Sequence, residues 1–213
     1  MKKVLLSLGA ALLMAAGAQA QTSYGIKAGV NLSKFSNTDN AENNVGFHIT
    51  GFADMPIAPN FSIQPGLSLQ NKGSKHSGGI SGGGTTASIE GKFSTMSVEI
   101  PVNFVYYVPA GNSGSLFLGA GPYAGYNISG KYKVSGNIGE NGGDIEEDID
   151  FTGDDKDMKA FDAGVNFLAG YKLANGFLIN AGYGLGLTNL SPSDKTDDKI
   201  SNRVLSFGVG FQF

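Results

Sequence analysis

The chain's last residues read Phe207, Gly208, Val209, Gly210, Phe211, Gln212 and Phe213, and this order of large and small side chains decides the fold. Successive side chains of a strand point to opposite faces. One face of the stretch therefore carries Phe207, Val209, Phe211 and Phe213, and the other Gly208, Gly210 and Gln212. Extending it back to residue 203 adds Leu205 to the first face and Ser206 to the second. A soluble sheet hides its apolar face against a second layer. The same alternation recurs after residue 22, and no segment is left to build that layer. The apolar face must meet another apolar medium, and lipid is the expected one.

Seven more segments read the same way. Residues 24–33 set Tyr24, Ile26, Ala28, Val30 and Leu32 against Lys27, Asn31 and Ser33. Residues 45–55 set Val45, Phe47, Ile49 and Ala53 against His48, Thr50 and Asp54, and 61–70 set Phe61, Ile63, Leu67 and Leu69 against Ser62, Gln64, Ser68 and Gln70. In 93–108 a row from Met96 to Tyr106 faces away from Glu99 and Asn103; in 115–128 Leu116, Leu118, Ala124 and Tyr126 oppose a row of glycines. Segments 159–172 and 177–188 repeat the pattern, with Val165 and Phe167 against Asp162, Asn166 and Lys172, and Ile179 and Tyr183 against Asn180 and Gly182.

Composition points the same way. Glycine occurs 33 times in 213 residues, and a glycine inside a helix costs about 1 kcal/mol relative to alanine. No helical apolar period persists after residue 22. Lys2 and Lys3, the apolar run 4–16 and the small-residue site Ala18, Gln19, Ala20 form the pattern of a secretory signal peptide over residues 1–20, too short to span a bilayer as a helix. That leaves residues 21–213 as one exported domain. It lacks cysteine and is mildly acidic, with a formal charge of −3 for the whole chain, so it offers no basic patch to nucleic acid.

Backbone groups left unpaired in hydrocarbon cost several kcal/mol each, so a lipid-facing sheet must close on itself. The sequence thus predicts an all-β fold: an eight-stranded antiparallel up-and-down transmembrane β-barrel. Short turns at 56–60, 109–114 and 173–176 alternate with long polar connections near 34–44, 71–92, 129–158 and 189–202, the asymmetry of an outer-membrane barrel. With the short-turn end taken as periplasmic, Tyr24, Phe61, Tyr106, Tyr171, Phe177, Phe211 and Phe213 form an aromatic girdle there. An eight-stranded interior is just wide enough to be filled by side chains. Lys27, Asp54, Glu99, Asn103, Asp162, Asn166, Lys172, Arg203 and Gln212 are the expected polar plug, with Lys27–Asp54 and Asp162–Arg203 as candidate ion pairs.

The opening stretch from Tyr24 to Ser33, together with the aromatic ending from Phe207 to Phe213, resembles the small outer-membrane β-barrel proteins of Bacteroidota-type bacteria, the porin-family or PorT-like barrels. The resemblance spans essentially the whole of 21–213 and implies residence in the outer membrane of a Gram-negative bacterium. It further implies that Phe207, Phe211 and Phe213 form the signal read by the barrel-assembly machinery. It implies no defined activity.

Residues 140–157 are the most acidic stretch. Asp148, Asp150 and Gly153 fall at EF-hand positions one, three and six, but Lys159 stands where the bidentate Glu belongs, so the stretch reads as a solvated loop with loose divalent-ion binding as the alternative. His48 and His76 are the two histidines, and no spaced set of partners gives them a catalytic or zinc signature. No catalytic residue, metal site or cofactor is expected. The function expected is a structural or surface-interaction role through four long loops, as a monomer in outer-membrane lipid, with an unspecified extracellular ligand. A narrow small-solute channel is the alternative, and an outer-membrane lipid-modifying enzyme a further one. A soluble lipocalin-like carrier would need the same alternation turned inside out.

Overall fold

The computed structural model describes residues 22–36, 41–82, 85–138, 141–153, 156–192 and 199–213. The expected signal peptide lies outside them. The chain forms β1 (Ser23–Phe35), β2 (Ala41–Ala58), β3 (Phe61–Gly82), β4 (Thr85–Pro109), β5 (Gly114–Ile138), β6 (Asn141–Asp148), β7 (Phe161–Leu173), β8 (Phe177–Gly186) and β9 (Asn202–Gln212). All pairings are antiparallel. Eight strands close a ring in the order β4-β3-β2-β1-β9-β8-β7-β5, sealed by β4 against β5, while among the described residues β6 pairs with β5 alone.

Ring closure leaves no open edge within the apolar band, which is what hydrocarbon demands. The band itself is on the outside. Ile26, Val30, Ile49, Leu67, Ile100, Leu118, Phe167, Ile179 and Val209 are exposed, Leu67 by 60%. Their chain neighbours Asn31, Thr50, Ser68 and Glu99 are buried. This inversion makes the ring a transmembrane β-barrel rather than a lipocalin.

One end of the ring is made of tight connections. Each uses a left-handed residue to reverse the chain: Asn60 at φ 62°, Gly111 at φ 68° and Gly176 at φ 92°. At the other end the strands overrun the band. Sequence 71–92 and 129–158 reads as loop, but β3 and β4 continue to a tip at Gly82 and Thr85, β5 runs to Ile138, and β6 returns beside it. The correction has a physical cause. Beyond the band both faces meet water, so the apolar alternation that betrays a strand in lipid is absent there.

The glycine row has a packing role that register makes plain. Several large inward side chains lie directly across a strand pair from a glycine: Phe52 opposite Gly25, Glu99 opposite Gly125, Tyr123 opposite Gly164 and Phe117 opposite Gly170. A Cβ added at Gly164 would come 2.7 Å from the Tyr123 ring, and one at Gly125 2.9 Å from Glu99 Cγ. Glycine on one strand therefore makes room for a bulky filler on the next.

Candidate functional site

The interior is built in layers. Nearest the short turns, Phe52, Val105, Phe117 and Leu178 form a buried apolar plug flanked by Tyr107 and Leu168. This departs from a lumen filled by glycine and charge alone. Each of these residues sits at an inward position that the sequence reading passed over as merely apolar. Two expected plug lysines lie on its aromatic walls, Lys27 Nζ 4.7 Å from the Phe52 ring centre and Lys172 Nζ 4.8 Å from that of Tyr107. Such contacts stabilise a cation by about 0.5–2 kcal/mol. Asp54 does not pair with Lys27. The register places Asp54 opposite Ser23 and Lys27 opposite Thr50, about 13 Å apart along the strands. Asp54 instead accepts hydrogen bonds from Gln64 Nε2 and Gln212 Nε2, both at 3.0 Å.

Above this plug lies a polar layer. Lys72 bridges Glu99 and Asp162, with its Nζ 3.3 Å from Asp162 Oδ2 and all three side chains almost fully buried. Asp162 also accepts from Asn202 Nδ2 at 2.8 Å, Thr188 Oγ1 at 2.9 Å and Tyr123 Oη at 3.3 Å. Ser97 Oγ donates to Glu99 at 3.2 Å. His48 Nδ1 is 2.9 Å from Asn31 Oδ1, and Asn31 Nδ2 donates to Gln70 Oε1 at 2.9 Å. A polar cavity of about 90 Å³ lies among these groups, bordered by Asn103, Asn166 and Asn180. That is space for a few waters. The side-chain Oδ1 atoms of Asn103 and Asn180 are buried without a protein partner, which suits water as the filler.

Arg203 is not part of this layer. It shares strand parity with Leu205 and Phe207 and so points outward, donating through Nη1 to the carbonyls of Gly186 at 2.8 Å and Asn202 at 2.9 Å. Its neighbour Asn202, unnoticed in the sequence, takes the position facing Asp162. Lys72 was missed for a different reason: it lies two residues beyond the expected end of its strand.

At the long-hairpin end the mouth is closed by a second apolar cluster. Phe35, Ile149, Met158 and Leu190 are buried, with Phe93, Tyr132, Phe151 and Ile200 packed on them. Phe93 and Tyr132 stack with ring centres 4.3 Å apart, and Phe35 meets Phe93 edge-on at 6.2 Å. The cap gathers β1, the β4–β5 hairpin and the segments before β7 and β9. Isolated apolar residues within connections read as polar were its only trace in the sequence.

Beyond the cap, β3, β4, β5 and β6 continue as a projecting sheet. Its outer face carries ion pairs Lys75–Glu90 and Lys133–Asp144, each at 2.6 Å, and Lys131–Glu146. Hydrogen bonds from Lys133 and Lys131 hold the carboxyls of Asp144 and Glu146 below the usual carboxylate range, and the same bonds raise the two lysines. The expected EF-hand positions are divided, Asp148 ending β6 and Asp150 lying past it. His48 and His76 occupy different layers, His76 opposite Gly91 in the projecting sheet.

The residues expected in the girdle lie on the outer face at the short-turn end. Phe61 pairs with Tyr106, their rings 6.2 Å apart, and Phe177 pairs with Phe211. Tyr24 and Phe213 exchange backbone hydrogen bonds of 3.2 and 2.8 Å.

A family model described as outer membrane protein beta-barrel domain matches residues 18–191. Among solved structures, neisserial surface protein A covers 91% of this chain and 100% of its own at 15% identity, with a TM-score of 0.47. The attachment invasion locus protein Ail of Yersinia pestis, crystallised with the heparin analogue sucrose octasulfate, shows the same coverage at 16% identity and a TM-score of 0.40. The translocator domain of the autotransporter NalP from Neisseria meningitidis covers 97% of this chain and 95% of its own at 12% identity, with a TM-score of 0.27. No curated protein matches.

Proposed function

Because the chain belongs to the family of outer membrane protein beta-barrel domains and so resides in the outer membrane, we propose that it is a sealed, monomeric barrel whose working part is the sheet it holds outside the cell. One observation carries this reading: apolar clusters close both ends of the interior, while four strands continue past the outer one. An ion would have to cross two dry plugs and a lysine–carboxylate bridge. The barrel therefore acts as a non-enzymatic anchor for surface interaction. The opening from Tyr24 to Ser33 and the aromatic ending support placement among the PorT-like barrels, with outer-membrane lipid around the girdle. They likewise support a role for Phe207, Phe211 and Phe213 in recognition by the assembly machinery, after export through a cleaved leader at residues 1–20.

Reconstitution in planar bilayers tests the sealed interior. The folded protein is expected to be electrically silent. Stable unitary conductance from the wild type would overturn the reading in favour of a narrow channel. Biotinylation of Lys133 on intact cells tests the topology, since this lysine lies on the projecting sheet. Labelling that appears only after the outer membrane is broken would place the sheet on the wrong side.

A further inference from the structure

β6 is the open edge of the projecting sheet: among the described residues it pairs with β5 and with nothing on its other side. The orientation of its backbone follows from the ladder. Ile149 donates its N–H to Gly130 O at 3.0 Å, continuing the register in which Asp148 faces Lys131 and Ile145 faces Val134. Antiparallel ladders alternate residues that bond the partner with residues that turn away from it. Glu147, Ile145 and Gly143 thus bond β5. Gly142, Asp144, Glu146 and Asp148 direct their N–H and C=O groups to open solvent. Exposed edges in natural proteins are commonly blocked by proline, a bulge or charged side chains, lysine above all, and a charge repels strands of like sign while admitting those of opposite sign. The segment Asn141–Asp148 has no proline or lysine, and its pairing with β5 runs without a register shift.

Charge selects what can pair here. Asp144, Glu146, Glu147 and Asp148 are all exposed. Lys133 and Lys131 engage Asp144 and Glu146, while Glu147 and Asp148 make no ion pair among the described residues. Two copies of β6 side by side would oppose carboxylate to carboxylate, which is unfavourable across a strand pair. A strand carrying lysine or arginine at alternate positions would meet the opposite arrangement. On the sheet's other face Ile145 is 66% exposed, and a Cβ added at Gly143 would touch nothing, so none of the described residues covers the strand.

We infer that β6 is a docking edge for an extended, basic peptide segment of another protein, which adds to the sheet as an antiparallel or parallel strand through the outward backbone groups of Asp144, Glu146 and Asp148. Main-chain hydrogen bonds supply the affinity and the carboxylates the choice of partner. The inference rests on the surface-interaction reading and names the partner class for it.

The test uses the full-length protein in nanodiscs and a fluorescent ten-residue peptide alternating lysine and threonine. Binding is followed by anisotropy, and amide exchange is followed along residues 142–148. The lysine peptide is expected to bind and to slow exchange at the outward amides. A glutamate–threonine peptide, or the lysine peptide with proline at alternate threonines, is expected not to. Asp144→Pro removes one outward N–H without touching the bonds to β5 and should weaken binding by about tenfold or more, whereas Asp144→Asn should weaken it by about threefold. Heat-modifiable gel mobility verifies that both variants keep the barrel. Equal binding of the proline peptide, an unchanged affinity in Asp144→Pro, no binding of the lysine peptide, or dimerisation of the protein through this edge would each overturn strand addition. Biotinylation of Lys133 on whole cells separates the two failures: a labelled lysine with no peptide binding overturns the docking edge alone.

Discussion

Removing Lys72 isolates the interaction on which the polar layer depends. Lys72 is the cation shared by Glu99 and Asp162, and the side chains are 4%, 3% and 1% exposed. In Lys72→Met the methylene stem is largely kept and the charge is lost. Asp162 would retain Asn202, Thr188 and Tyr123 as donors, but Glu99 would keep only Ser97. Two carboxylates would then share a buried site with no counter-charge. Breaking a buried ion pair from one side costs about 3–5 kcal/mol. Replacing all partners with neutral shapes often costs little. The triple variant Lys72→Met, Glu99→Gln, Asp162→Asn should therefore recover most of the loss. Urea-induced unfolding from lipid vesicles, followed by tyrosine fluorescence and gel mobility, gives both numbers. A loss below about 1 kcal/mol in Lys72→Met would refute the reasoning, because no buried pair of this kind could be broken so cheaply. A triple variant as unstable as the single one would show that the lysine contributes by shape rather than charge.

The outward face can be tested at Val165, where arginine should cost about 2–4 kcal/mol near the midplane, while Asn166→Ser on the lumen side should cost far less; equal penalties in vesicle unfolding would contradict the face assignment. Gly130 is covered by the cap, a Cβ there lying 2.7 Å from Phe151 and 3.0 Å from Ile149. Gly130→Val should strain the cap by about 1–3 kcal/mol and expose Lys156 and Lys159 to trypsin, and Phe151→Ala should restore part of the protection by making room. Acid should loosen the β5–β6 hairpin selectively. Its carboxyls Asp144 and Glu146 have lowered folded values, so their contribution is complete above the ordinary carboxylate pKa of about 4 and is lost as pH falls below it. The chain contains no cysteine, so a spin label on Asn137→Cys reports this cleanly; mobility that rises between pH 8 and 5 would refute the assignment.

The membrane-facing half of the fold was legible because lipid imposes a strict rule on alternate residues. Val209, Ile179 and Ile26 could be placed outward from parity alone. Outside the lipid that rule lapses. In β3 from Lys75 to Gly79 both faces are polar or glycine, and in β6 Ile145 is the one apolar side chain, so no alternation distinguishes a solvated strand from a loop. Inside the ring parity gave the face but not the partner. Lys27 and Asp54 both look inward, yet the β1–β2 register keeps them four rows apart. Arg203 failed on parity itself, since it lies on the face of Leu205. The apolar fillers Phe52, Phe117 and Leu178 were overlooked because an inward aromatic resembles an error in an alternating pattern until the glycine facing it is known.

The proposed separation of scaffold from function rests on that pairing of glycine with bulk. A ring of eight strands has too little interior for every inward position to be large. Where one strand offers Phe52, Tyr123 or Phe117, the next offers Gly25, Gly164 or Gly170. Filling by such pairs leaves a cavity of about 90 Å³ between two apolar clusters, the arrangement on which the sealed-barrel proposal rests. The same strands that complete the filling leave the membrane already paired, so β3, β4 and β5 emerge as a preformed sheet. Docking a partner on β6 then requires no reorganisation of the barrel, only ordering of the incoming strand. Tightening the barrel, for instance with a stabilised plug, should leave peptide affinity at the β6 edge unchanged within about twofold. Strong coupling between plug stability and edge affinity would mean that the interior moves when the surface binds, and the separation of the two would fail.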